Sequence, residues 1–214
     1  MHIGINGWFC SMPYTGNGQY TTSLINELSR IAVEHTITVF VKSANSMTSL
    51  PELANVSYCS IDKKHRTNDI YDILEFEFIL AKQASRLDLD LLHTPYLGSS
   101  QLHGHRFKHV VTVHDMIPRI FRKYRGSYLR RLYLWHAERA VKDANLIITD
   151  SAHSQADIVK HLGIDPAGVK IVPIAADEVF KKEIEEDRIT EIRDKYALPD
   201  DYIFYIGGFD YRKN

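Results

Sequence analysis

Short apolar runs and longer amphipathic stretches alternate along the chain. Residues 2–6, 36–42, 56–61, 89–93, 109–114, 145–149 and 170–173 are apolar runs of strand length. Strands apolar on both faces mark a parallel sheet covered by helices. Between the runs, apolar residues recur three and four apart: Tyr20, Leu24, Ile25, Leu28 and Ile31, then Ala152, Ala156, Val159 and Leu162. That period is helical. The second helix takes Asp150 or Ser151 as its N-cap and Gly163 as its left-handed stop. The alternation predicts an α/β fold, a doubly wound parallel sheet. After residue 173 the pattern changes. Residues 174–200 are acidic and mostly polar, with one short helical stretch at 190–196, and read as a connector. A last run, Tyr202 to Ile206, predicts a buried strand that leads into Gly207-Gly208 and then Arg212 and Lys213. This divides the chain into a domain over residues 1–175, a connector over 176–200 and, over 201–214, the start of a second domain.

In a doubly wound sheet, ligands sit beyond the carboxyl ends of the strands. That rule selects residues 7–18, 94–107, 114–126 and 150–153. The first of these loops carries Gly16 and Gly18 at a helix start, where free backbone N–H groups and the helix dipole suit an anion. The glycines lie about ten residues past the strand and position 21 is Thr, so the Gly-x-Gly-x-x-Gly spacing of a dinucleotide site is not met. His114 ends an apolar strand and is followed by Asp115. A histidine there is either a structural residue or, facing the crevice, a polar contact to substrate. His93 closes the neighbouring run and Tyr96 follows it, so two strand-end histidines and a glycine loop outline a polar pocket. His103, His105 and His109 are close in sequence, but Arg106 and Lys108 are interleaved and neither a carboxylate nor a cysteine is near, which opposes a metal ion. The Gly-x-Ser-x-Gly elbow of a serine hydrolase is missing from the sequence.

Charge narrows the partners. The formal net charge is −1, so no overall field selects nucleic acid, and no nucleic-acid partner is expected. The charges are nonetheless segregated: residues 104–142 hold ten Lys/Arg against two acids, and residues 177–201 hold ten acids against five bases. The basic stretch is either a solvated face or the contact for an anionic partner. Its helical part sets Leu129, Leu132, Tyr133, His136, Ala137 and Ala140 on one face and Arg131, Leu134, Trp135 and Glu138 on the other. Leu134 and Trp135 among arginines suit an interfacial helix on anionic lipid, or contact with another domain. Cys10 and Cys59 lack CxxC or zinc spacing, which points to reduced thiols. Met1 to Gly4 opens directly into a strand without the basic start and apolar run of a leader, and no run reaches the ~18 apolar residues of a membrane span. The expectation is a cytoplasmic protein, at most peripheral to the inner face of the membrane.

Five segments carry a resemblance: Asp90 to His93, Val110 to Pro118, Leu146 to Val159, Lys170 to Phe180 and Gly207 to Asn214. Their order and spacing resemble the GT4 family, and Tyr14 to Tyr20 is similar to that family's first glycine loop. GT4 members are retaining, nucleotide-sugar-dependent glycosyltransferases of GT-B architecture, two Rossmann-like domains facing each other across a cleft. The resemblance covers nearly the whole chain and implies one half of a GT-B architecture: the acceptor-side domain plus the opening strand of the donor-binding domain. It implies transfer of a hexose, mannose- or rhamnose-like, from a nucleotide-sugar donor to a glycan or lipid-linked acceptor with retention, as in polysaccharide biosynthesis, and without a metal or other cofactor. His114 matches the family's reaction-centre histidine. Gly16 and Gly18 match the loop that approaches the donor phosphates, and Arg212 and Lys213 match the cationic loop at the diphosphate. Gly208 stands where many members carry Arg, leaving Arg212 to supply that contact. Tyr14, His93, Tyr96, Asp115 and Ser151 are the acceptor-side candidates. The family's Glu-x7-Glu region is not within these 214 residues, so the C-terminal domain is a missing partner and this fragment alone is expected to be inactive. The His114 ring is expected to face solvent, so that removing it lowers turnover far more than stability. The alternative is a non-enzymatic doubly wound module that binds an anionic ligand or partner.

Overall fold

The computed structural model describes residues 1–43, 50–61, 69–98 and 106–210. The chain divides into two compact units, Met1–Pro173 and Ile174–Asn214.

In the first unit seven strands form one parallel sheet: β1 (His2–Asn6), β2 (Thr36–Val41), β3 (Val56–Ser60), β4 (Leu91–Thr94), β5 (Lys108–Thr112), β6 (Leu146–Thr149) and β7 (Val169–Ile171). Their order is β3-β2-β1-β4-β5-β6-β7. The chain thus runs outward from β1 to β3, returns to β4 beside β1, and continues the other way. The reversal lies between β1 and β4, the place where such sheets open a ligand crevice. Five helices of this unit are α1 (Gly16–Ile31), α2 (Asp69–Arg86), α3 (Ile117–Ile120), α4 (Tyr128–Lys142) and α5 (Ala152–Leu162).

Burial on both faces explains the apolar strands. Ile3, Ile5, Ile37, Val39 and Val41 pack with Ile25 of α1. Phe40 and Leu92 point the other way, against Phe76, Leu80 and Ala84 of α2. Val111, Ile147 and Val169 meet Val141 of α4 and Ile158 and Leu162 of α5. Leu92 pairs with His109, two residues before Val111, so α2, α4 and α5 share one face and α1 lies on the other. Side-chain caps start the helices: Thr15 accepts from Gly18 N, Ser127 from Arg130 N and Ser151 from Ser154 N. Each such cap contributes about 1 kcal/mol. Gly163 ends α5 in the left-handed region at φ 69°, as expected. Of the two N-cap candidates Ser151 takes the role, which frees Asp150.

Two expectations about faces and ends change. Strand β5 ends at Thr112, so His114 lies two residues beyond it, although Val113 N still donates to Ile148 O at 2.8 Å. In α4 the buried side is Tyr133, Ala137, Ala140 and Val141. Leu132, expected inward, is exposed, while Leu134 and Glu138, expected outward, are half-buried. The helix packs through its small alanines, and Glu138 Oε2 reaches to 3.8 Å from Arg119 Nη1.

The second unit, taken by itself, holds a short turn at Glu178–Lys181 and α6 (Glu186–Tyr196). Acids in the first turn of α6 and Arg193 and Lys195 in its last turn suit the helix dipole. The helix begins four residues earlier than the stretch read from sequence. The buried strand expected at residues 202–206 does not form: the backbone there is irregular and Ile203 is 99% exposed. A strand requires a neighbour to receive its backbone hydrogen bonds, and among the described residues none pairs with it.

Candidate functional site

The ring of His114 is held where the loops after β4, β5 and β6 converge. Nδ1 donates to Asp150 Oδ2 at 2.7 Å, and Nε2 lies 3.2 Å from the Pro95 carbonyl oxygen. Tyr20 of α1 meets the ring edge-to-face, with centroids 4.6 Å apart. The backbone beneath is fixed as well: Thr149 Oγ1 donates to Val113 O at 2.7 Å and Ser154 Oγ to His114 O at 2.9 Å. Both groups facing the ring nitrogens are acceptors, so a neutral imidazole can donate to one of them and an imidazolium to both. The side chain is only 19% exposed. The solvent-facing ring expected from sequence is therefore an enclosed one, because the loop after β4 and the turn into α5 each set an acceptor against it.

A second tier lies behind this ring. Tyr20 Oη is 3.4 Å from Thr112 Oγ1, which is 2.8 Å from His93 Nε2. His93 is buried, and burial, then the nearby His109 and His114, lower its pKa to about 4. On the opposite face of the sheet His109 Nε2 is 3.0 Å from Thr94 Oγ1, and burial lowers its pKa to about 4 too. Tyr96 is buried and donates to Glu77 Oε1 at 2.9 Å, with Tyr133 donating to the same oxygen at 3.3 Å. Burial, then the Glu77 charge, hold the Tyr96 phenol well above its usual range. His93 and Tyr96, expected as acceptor-side contacts, thus stand behind the surface of the site; His93 Nε2 and the Tyr96 hydroxyl are spent on neighbouring elements.

The glycine loop splits into two cases. A Cβ on Gly18 would sit 2.0 Å from Met12 O, so this glycine is required by the fold of the loop. A Cβ on Gly16 would meet nothing within 4 Å, and Tyr14 is 96% exposed. Thr15 Oγ1 takes the Gly18 N–H at 3.1 Å; first-turn N–H groups precede the intrahelical ladder. Asp115 is exposed and accepts from Ile117 N at 2.9 Å, starting α3. Ser151 is the α5 cap and lies between Asp150 and Ser154, the two residues that grip His114. Arg212 and Lys213 lie outside the described residues, as do His103 and His105. Among the described residues no group of three or more His, Cys, Asp or Glu is placed to hold a metal ion. Cys10 is buried, which pushes its thiol up to about 12 and leaves it unreactive. Sequence reasoning missed Tyr20, Thr112, Glu77 and the pairing of Asp150 with His114. The last had one local signal, an acid directly before a helix cap, but its partner is 36 residues away.

The family model of Glycosyltransferase Family 4 matches residues 14–179, most of the chain. The chain belongs to glycosyltransferase family 4. No curated protein matches it. Among solved structures, WaaG, a glycosyltransferase involved in lipopolysaccharide biosynthesis, superposes with a TM-score of 0.67 at 15% identity, over 94% of this chain and 52% of its own. Sucrose-phosphate synthase from Thermosynechococcus elongatus gives 0.60 at 14% identity, over 93% and 53%. HepE of Anabaena, solved with UDP and glucose, gives 0.58 at 15% identity, over 92% and 50%. At such identities the likeness is one of fold: the family 4 chain has the Rossmann-like sheet of a GT-B glycosyltransferase. It spans about half the length of the solved structures it matches. His114, Asp150 and the Gly16–Gly18 turn all fall within the segment matched by the family model.

Proposed function

We propose that this family 4 chain is the acceptor-side half of a retaining glycosyltransferase that moves a hexose, mannose- or rhamnose-like, from a nucleotide sugar to a glycan or lipid-linked acceptor. The observation that carries the reading is the anchored His114 at the carboxyl end of the sheet, one strand away from the β1/β4 reversal. In this reading residues 1–175 are the acceptor-side domain, 176–200 the connector and 201–214 the start of the donor-binding domain. His114 contacts the transferred sugar. The first turn of α1 faces the donor phosphates, where Gly16 admits a close approach and its backbone N–H groups meet negative charge. Arg212 and Lys213 stabilise the charge that develops on the departing diphosphate. Tyr14, Asp115 and Ser151 remain as acceptor-side positions. Charge stabilisation by these groups requires no metal or other cofactor. Transfer is expected of the longer protein and not of this chain alone. Titration calorimetry of the longer protein against UDP- and GDP-sugars tests the reading; absence of binding to every donor overturns it. The anomeric configuration of the product, read by NMR, tests retention.

The proposed acceptor is lipid-linked, reached at the cytoplasmic face of an anionic membrane. Tyr128, Arg131, Leu132, Trp135, Arg139 and Lys142 form one exposed stripe of α4, spaced three and four apart and free of acids. Aromatic and aliphatic bodies beside cations suit a headgroup layer. No helix among the described residues is long and apolar enough to cross a membrane, so this contact is peripheral. Flotation with phosphatidylglycerol against phosphatidylcholine vesicles tests it; equal recovery with both removes the membrane from the proposal.

A further inference from the structure

We propose that Asp150 is the positioning residue of this site: its carboxylate sets the orientation and tautomer of His114. The assignment of a role to His114 rests on the glycosyltransferase reading above; the assignment of Asp150 to His114 rests on geometry. Strand pairing brings the two together. Thr112 of β5 lies opposite Ile148 of β6, and two residues further along each chain stand His114 and Asp150. Their side chains meet at 2.7 Å, both about four-fifths enclosed, at 19% and 20% exposure.

Nothing else in the local structure accounts for an acid at this position. Ser151 already caps α5. Oδ2 goes to His114, and Oδ1 is buried with no hydrogen-bond partner among the described residues. A buried carboxylate oxygen without a partner is destabilising, and an apolar side chain would fold better there. Unsatisfied buried groups in an otherwise well-formed domain concentrate where function requires them.

The chemistry of the pair is directional. An ionised carboxylate only accepts, so Nδ1 carries the hydrogen. In the neutral ring Nε2 is then the bare nitrogen: it makes no hydrogen bond to the Pro95 carbonyl oxygen 3.2 Å away and is left to accept from a substrate hydroxyl. Tyr20 blocks one side of the ring, and Ser154 and Thr149 hold the two carbonyls of the 113–114 backbone. Rotation about the side-chain bonds is the freedom left, and Asp150 removes it. A misplacement of about 1 Å in a reacting geometry lowers rate by roughly 10²-fold.

Two measurements test this. The first uses the 214-residue chain and long-range proton–nitrogen NMR of the imidazole rings. Wild type should show His114 Nδ1 in the protonated range, and Asp150→Ala should move both ring nitrogens toward the averaged values of an exposed histidine. Wild-type nitrogen shifts in Asp150→Ala overturn the proposal. The second uses the longer protein with whichever of UDP-glucose or GDP-mannose the wild type turns over. Asp150→Asn keeps the shape and an acceptor oxygen but loses the charge. It should lower kcat by about 10²-fold with donor KM changed less than about twofold, and Tm should move by only a few degrees. A fall in Tm with unchanged kcat in the folded fraction marks a merely structural residue and overturns the proposal. If the wild type turns over neither donor, the functional reading is in trouble while the NMR measurement still decides Asp150.

Discussion

The β4–β5 pair and the run from Tyr202 to Ile206 are built from similar side chains, and each leads into polar chemistry. Leu92, Val110, Val111 and Val113 are buried between helices and neighbouring strands, whereas every residue from Tyr202 to Ile206 is more than half exposed. The difference lies in the neighbours. Strand β4 is hydrogen-bonded on both sides, to β1 and to β5. Residues 202–206 have no strand beside them among the described residues. An apolar run states a need for burial, and only pairing meets it. Chemistry follows the same rule. Behind β5, pairing delivers Asp150, Pro95 and Tyr20 to His114. Behind the tail run, the glycine turn has a local contact, Tyr205 Oη donating to Gly208 O at 3.0 Å.

The contrast predicts effects of graded size, the largest from acid. His93 and His109 lie in the β4–β5 pair and have folded pKa values of about 4 against an unfolded 6.5. Because the folded values are depressed, the unfolded chain binds the extra protons. Stability is therefore whole above pH 6.5 and is lost as pH falls through 6.5 toward 4, on the order of 3 kcal/mol per ring by the end. Thermal melts between pH 7.5 and 4.5 should show a steep fall that flattens in a His93→Gln/His109→Gln variant. A profile as steep in the variant as in wild type contradicts this account.

Leu92→Ala comes next. It removes a fully buried side chain facing α2 and should cost about 2–5 kcal/mol in denaturant melts. A cost under about 1 kcal/mol would mean the pair is not the centre of the core. His114→Ala divides its effect. Losing the Nδ1 bond and leaving Asp150 unpartnered should cost about 1–3 kcal/mol of stability, more than a solvent-facing ring would. In the longer protein turnover should fall by about 10²–10³. A variant that loses stability but retains specific activity removes His114 from the site. The smallest effect belongs to the tail: Phe204→Ala should shift the stability of this chain by no more than about 0.5 kcal/mol. A larger loss would show that the exposed run is packed in solution.

Much of the fold was legible in the sequence because its signals are local. The seven strand runs fall within two residues of β1 to β7, and Ser151 and Gly163 bound α5 as their side-chain oxygen and missing Cβ imply. Of the candidate site, the placement of His114 and of the glycine loop was legible, since both stand at strand or helix ends that a doubly wound sheet turns toward one edge. The inner arrangement of the site was not. His93 and Tyr96 also stand at the end of a strand, yet close approach of Thr112 and Glu77 encloses them. Leu132 has the spacing of a buried position, yet α4 rotates to seat Ala137 and Ala140 against its neighbours.

Periodicity, caps and turns depend on residues within about four positions of one another, so the sequence by itself determined the seven strands of the sheet, the ends of α5 and the doubly wound class, while α2 went unread. Contacts across 19 and 36 positions, Pro95 and Asp150 onto His114, depend on which strands become neighbours and in what register. The exposure of residues 202–206 depends on what stands beside them. Those were decided only in the tertiary structure, because a side chain's partners are set by the summed packing of the whole sheet and not by its own stretch of chain.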